Sequence, residues 1–213
     1  MSTLPRQGLN PRQAETVEKL LDAAERELAA VGPEGLTIRT VAARAGVAPA
    51  TAYNYFGSKN HLFAELFHRR VLLDHPVEVD GRTPLRRVTG VTRQLATVLG
   101  EKPHLAAAAN HALLGTDPDV ERLRVVIGVE IVGRFREALG DPADPELLDA
   151  LTLALTGALL QTGMGLITYD DLADRLDAVV ATILRGNTTP HESAREGRSA
   201  RRPHASAGTP RNA

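Results

Sequence analysis

Cysteine and tryptophan are missing from these 213 residues. Without a thiol there is no disulfide, no thiolate metal ligand and no cysteine nucleophile, which fits a reducing compartment. Aromatic side chains are scarce at 3%, so a core must come chiefly from leucine, valine and alanine; the 43% hydrophobic content is enough for one large domain or two small ones. Lysine is nearly absent too. Lys19, Lys59 and Lys102 stand beside 22 arginines, a bias that reads as codon usage in a GC-rich genome. The opening MSTLPRQGLNPRQ lacks the apolar core of a signal peptide, so a cytoplasmic protein is expected.

One stretch, Leu147 to Ile167, is apolar on nearly every face and about as long as a bilayer requires. Asp149, Gln161 and three threonines interrupt it, and its flanks carry Asp144, Glu146, Asp170 and Asp171 where a membrane orientation signal would be basic. No membrane span is expected. A helix hydrophobic all round is instead central, covered by its own domain on one side and by a second subunit on the other. The glycines at 157, 163 and 165 each cost about 1 kcal/mol in a helix interior, which points to close backbone approach or a bend beside a cavity.

The net charge is −1, yet a localised basic face matters more for nucleic acid than the sum. Residues 187–213 carry five arginines against two glutamates, which leaves the rest mildly acidic. That tail and residues 1–10 have no apolar period and are expected to be disordered.

Between them, apolar residues recur at helical spacing and no convincing strand is found. Val17, Leu20, Leu21, Ala24, Leu28 and Val31 define a helix from about Pro11 to Val31, ended by Gly32 and Pro33. Thr37 suits an N-cap for a second helix with Ile38, Val41, Ala42 and Ala45 inward, closed by Gly46. Pro49 suits the first turn of a third, and Ser58 caps a fourth carrying Leu62, Phe63, Leu66, Phe67 and Val71. His75 to Pro84 reads as a linker. Further helices fall at about Pro84–Leu99, Pro103–Leu114, Pro118–Leu139, Pro145–Tyr169 and Asp171–Arg185, each announced by Pro, Asp or Gly. The fold class is all-α.

Thr37 to Lys59, TIRTVAARAGVAPATAYNYFGSK, carries the functional signal. Two short helices meet at Gly46, and Ala42 and Ala52 are small where steeply crossing helices touch, the layout that puts a helix into a DNA groove. Leu36 to Leu62 resembles the DNA-binding signature of the TetR family of transcriptional regulators. The resemblance implies a three-helix helix-turn-helix unit at 11–57, followed at 58–186 by a helical ligand-binding domain that dimerises through its last two long helices, at about 145–169 and 171–185.

Carried over, the family pattern places Thr37 and Arg39 at the sugar-phosphate backbone. Pro49, Ala50 and Thr51 open the recognition helix, followed by Tyr53, Asn54 and Tyr55, where a ring can lie on a thymine methyl and an amide can pair with adenine. Lys59 meets a phosphate at a helix N-terminus, and Phe56 is core. Two positions depart from the family: Ala48 stands where a hydroxyl residue often caps the third helix, and Ala52 where a larger apolar residue is usual.

The ligand pocket is less legible. Phe63, Phe67, Leu95, Leu99, Phe135 and Met164 are candidate lining, His104 and His111 lie at helical spacing with Asn110 beside them, and Gln161 is an amide needing a partner in an apolar helix. No metal, cofactor or catalytic group is expected. The reading is a homodimeric repressor released from a palindromic operator on double-stranded DNA by a small, lipid-like effector. The alternatives are a helical enzyme using His104 and His111, or an adaptor retaining a helix-turn-helix-like unit.

Overall fold

The computed structural model describes residues 10–77 and 79–185. The expected disordered ends lie outside them apart from Asn10, whose side chain caps the first helix by accepting from the Gln13 N–H at 3.0 Å. Among the described residues there are nine α-helices and no strand: α1 (Pro11–Gly35), α2 (Ile38–Ala45), α3 (Pro49–Tyr55), α4 (Lys59–Phe67), α5 (Pro84–Glu101), α6 (Pro103–Leu114), α7 (Pro118–Leu139), α8 (Pro145–Gly163) and α9 (Tyr169–Leu184). Proline opens α1, α3, α5, α6, α7 and α8, where its missing N–H would have had no helical acceptor. Thr37, Ser58, Thr83, Asp117, Asp144 and Thr168 cap α2, α4, α5, α7, α8 and α9 with a side-chain oxygen.

Helix boundaries differ from expectation in three places. α1 extends to Gly35, but Gly32 at φ 71° breaks its geometry, so the expected stop is present as a kink; Val31 just before it is 49% exposed. α4 runs on into a π-helical turn, His68–Leu73, for which nothing in the residue pattern gives a cue. α8 ends at Gly163, six residues early. There Gly165 takes φ 73°, and its N–H donates to the Thr162 carbonyl while that of Leu166 donates to Gln161, closing the helix. Tyr169, expected at the end of α8, therefore begins α9.

A continuous core runs from Val17, Leu20 and Leu21 in α1 through Phe56, Leu62 and Leu66 to Leu123, Phe135, Leu172 and Val180. Each of these large side chains contributes about 1.5–3 kcal/mol on burial. α4 packs against α6 and α7, α5 lies along α9, and α9 also meets α8. On one side Glu18, Asp22 and Glu25 of α1 pair with Arg69 and Arg70 of the π turn and with Lys102 before α6. Burial lowers the Arg70 pKa, but hydrogen bonding and charge from Asp74, with Glu18 and Asp22, outweigh it and the net shift is upward. The acidity of α1 is thus neutralised internally, so the chain's total charge says little about the charge of any one face.

α8 matches the expected half-covered helix. Leu147, Leu148, Leu151 and Leu155 are buried, while Leu153 and Met164 remain 65% and 64% exposed, as do Leu160 and, on α9, Val179 to a lesser degree. Among the described residues no helix is long and apolar enough to cross a membrane.

Candidate nucleic-acid interface and inner cavity

The turn between α2 and α3 depends on Gly46, whose φ of 66° and ψ of 28° are left-handed; its N–H donates to Ala43 and that of Val47 to Ala42. Ala52 and Ala42 are fully buried, so the small residues do sit where the helices meet, and Ala52 packs without a larger side chain. Phe56 is core, its ring edge-on to buried His61 at 5.8 Å. With Ala52 and Phe56 inward, α3 presents Pro49, Ala50, Tyr53 and Asn54 to solvent, and Tyr53 is 50% exposed. Thr51 and Tyr55 are half-buried at its edges. Ala48 supplies no side-chain cap, as its identity dictates.

Thr37 and Thr40 form a reciprocal capping box with both N–H···Oγ1 distances at 3.1 Å, which fixes the start of α2 and leaves Arg39 exposed one residue into the turn. Arg44 is occupied elsewhere: its Nε donates to the buried Glu27 carboxylate at 2.6 Å and ties α2 to α1. Lys59 donates to the Pro33 carbonyl at 3.1 Å, which joins the α4 N-terminus to the α1–α2 turn. An ammonium has three donors, so this anchor leaves two to meet a phosphate. Thr37, Arg39, Lys59 and the outer face of α3 therefore belong to one surface unit.

That unit is fastened to the body at a tight joint. Ser58, which caps α4 through the His61 N–H, also donates from its hydroxyl to Asp117, the cap of α7. A Cβ at Gly57 would come within 2.6 Å of an Asp119 carboxylate oxygen, so any side chain there would displace that carboxylate. Neither contact has a helix-turn-helix sequence signal, because Asp117 and Asp119 lie some 60 residues away.

The residues expected to line a ligand pocket fall in different places. A cavity of about 40 Å³ lies between α4, α5, α6, α8 and the start of α9, lined by Phe67, Leu99, Ala106, Asn110, Leu159 and Tyr169. Phe67 and Leu99 were expected; Phe63, Leu95 and Phe135 are buried core beside no described cavity. His104 and His111 are exposed, because the buried stripe of α6 is Leu105, Ala108, Ala109 and Ala112. Gln161 and Met164 are exposed as well, on the face of α8 that the rest of the chain leaves uncovered. The interior amide is Asn110, whose Nδ2 donates to the Leu159 carbonyl at 2.9 Å. A Cβ at its neighbour Gly163 would lie 1.8 Å from the Asn110 amide nitrogen, so a side chain there would displace the amide. Tyr169 also lines an outer, open pocket of about 390 Å³ with Ala96, Thr97, Gly100, Glu101 and Asp170. Among the described residues no three His, Asp or Glu side chains gather as a metal site would require.

Comparison with known proteins agrees with the head geometry. Residues 20–66 match the model of bacterial regulatory proteins of the tetR family. An uncharacterised HTH-type transcriptional regulator of Mycobacterium tuberculosis is 46% identical over 184 residues, covering 85% of this chain and 86% of that one. The HTH-type transcriptional repressor KstR of Rhodococcus jostii is 27% identical over 178 residues, 81% of this chain and 84% of the relative. A TetR transcriptional regulator from a Rhodococcus species superposes with a TM-score of 0.71 at 21% identity, over 83% of this chain and 98% of that one. FadR of Bacillus subtilis, solved in complex with stearoyl-CoA, gives 0.56 at 18% identity over 79% and 98%. The relatives are regulators and not enzymes, which removes the enzyme alternative. With the helix-turn-helix geometry, the family match and a relative 46% identical over most of its length, the chain belongs to the TetR family of transcriptional regulators.

Proposed function

We propose that the protein is a homodimeric, effector-responsive repressor working in the cytoplasm on a palindromic operator. The observation that carries this is the presence on one chain of an exposed reading face on α3 and an unpartnered apolar face on α8 and α9. A second copy covering Leu153, Leu160, Met164 and Val179 buries the apolar face and doubles the reading head. Two recognition helices then enter successive major grooves about 34–36 Å apart. Thr37, Arg39, Tyr55 and Lys59 hold phosphates, and Thr51, Tyr53 and Asn54, with Pro49 and Ala50 close beside them, face base edges.

Repression is supported by the KstR relatives, which are named repressors. An apolar effector is supported by the aliphatic cavity and by the stearoyl-CoA held in the FadR neighbour. The effector acts by binding better to a dimer whose heads are separated differently, which shifts the population away from the DNA-bound form. The test selects bound fragments from the protein's own genome and measures affinity by fluorescence anisotropy. Tyr53→Ala should weaken operator binding at least about tenfold with the dimer intact, whereas Leu153→Asp should yield monomers that lose it. Unchanged affinity in both variants would refute the assignment.

A further inference from the structure

We infer that the gap between the C-terminal end of α5 and the N-terminal end of α9 is the route to the inner cavity, that Tyr169 is its gate, and that it admits neutral, hydroxyl- or carbonyl-bearing apolar molecules while turning anions away. The inference rests on the effector reading above and assigns the effector's chemical class. Tyr169 lines both spaces, the smaller of about 40 Å³ and the larger of about 390 Å³. The inner space alone holds little more than a few waters. With the phenol ring swung aside the two become continuous. Gly100 makes this feasible, because a Cβ there would already touch the Tyr169 Cβ at 3.8 Å and anything longer would fill the passage.

The lining sets the chemistry. Phe67, Leu99 and Leu159 take an apolar body, and only two polar groups reach it. Asn110 uses its amide N–H on Leu159, and its Oδ1 has no hydrogen-bond partner among the described residues; nor has the Tyr169 hydroxyl. One acceptor and one hydroxyl suit a ligand hydroxyl or carbonyl. Burial raises the Tyr169 pKa, so the phenol stays neutral and able to donate.

The mouth is acidic. Glu101 and Asp170 line it without a basic residue among the lining, and Arg93, a turn or more away, is paired with Asp174 and Asp177. The start of α9 could otherwise attract an anion through its free N–H groups, but Asp170 and Asp171 occupy its first turn. Asp171 accepts from the Thr168 hydroxyl at 2.7 Å. A carboxylate or coenzyme A headgroup would meet two like charges and no counter-ion.

The experiment titrates full-length protein by calorimetry with 1-decanol, decanoate and decanoyl-CoA, three headgroups on one chain, each below its micelle concentration. Decanol should bind at least about tenfold tighter than decanoate, with no saturable decanoyl-CoA binding. Gly100→Leu should abolish decanol binding, and Tyr169→Phe should weaken it about three- to tenfold. Glu101→Gln with Asp170→Asn should raise decanoate affinity and leave decanol unchanged. Decanoate or decanoyl-CoA binding as tightly as decanol overturns the inference, as does decanol binding indifferent to Gly100→Leu. Operator affinity without probe is measured in parallel. Protein that holds its operator but binds none of the probes refutes the gate alone; protein that binds decanol but no operator refutes the regulator reading alone.

Discussion

Replacing Gly163 by alanine should destabilise the protein, although alanine is the better helix former, because the new methyl group would have to occupy the place of the Asn110 amide. The 1.8 Å separation to Nδ2 and 2.9 Å to Cγ leave the amide no choice but to rotate away and give up its bond to the Leu159 carbonyl. A hydrogen bond of this kind is worth about 1 kcal/mol net. The gain from removing a glycine is below the roughly 1 kcal/mol of a helix interior, since residue 163 is the last of α8. Gly163→Ala alone should therefore cost about 0.5 kcal/mol. In an Asn110→Ala background no amide obstructs the methyl, and the same change should stabilise by about 0.5 kcal/mol. The sign reversal, a coupling of about 1 kcal/mol, is the diagnostic. Urea denaturation followed by far-ultraviolet circular dichroism measures it, at fixed protein concentration so that self-association contributes equally to every variant. Equal effects of Gly163→Ala in the two backgrounds would refute the interlock between α6 and α8.

Ala48→Ser should supply the cap that α3 lacks and raise stability by about 0.5–1 kcal/mol, visible as a rise of about 2–4 °C in thermal unfolding; no change would mean the α3 N-terminus is already satisfied. Lys59→Met should remove one phosphate contact per half-site, so the slope of log affinity against log salt should fall by about 2 for the bound dimer, and an unaltered slope would leave Lys59 as a purely structural tie to Pro33. Tyr169 carries a pKa raised by burial, so folding favours its neutral form: the associated stability is present below the ordinary tyrosine value near 10 and is lost as pH climbs through the higher folded value. Tyr169→Phe should flatten that alkaline decline in a pH series of denaturation curves, and an identical decline would place its cause elsewhere.

What could be read from the residues alone divides along a physical line. Local chemistry was legible: prolines at helix starts, Thr37 and Ser58 as caps and Gly46 as the left-handed turn all depend on neighbours within four positions. The exposed face of α3 was legible because Ala52 and Phe56 leave only one way to rotate the helix. The lining of the inner cavity was not. Which face of α6 turns inward depends on packing, and the alanine-rich pattern there left His104 and His111 looking as eligible as Asn110. Gln161 was expected to find a partner inside, yet an early helix end at Gly163 and an uncovered α8 face leave it exposed. Tyr169 gained its role through the same shift, which moved it from the end of one helix to the start of the next. The acidic residues of α1 likewise had no sequence-level sign of their guanidinium partners some 50 positions on.

The joint at Gly57 and Ser58 bears on how regulators of this kind can be recombined. A reading head transplanted onto another body, or a body given a new head, must bring both halves of the joint: the bare backbone at Gly57 with room for the Asp119 carboxylate, and the Ser58 hydroxyl with Asp117 to receive it. A chimaera that respects only helix boundaries would mismatch a part whose clearance is less than one methyl group. The four residues act together, and exchange of DNA specificity by grafting is expected to succeed where all four are carried across.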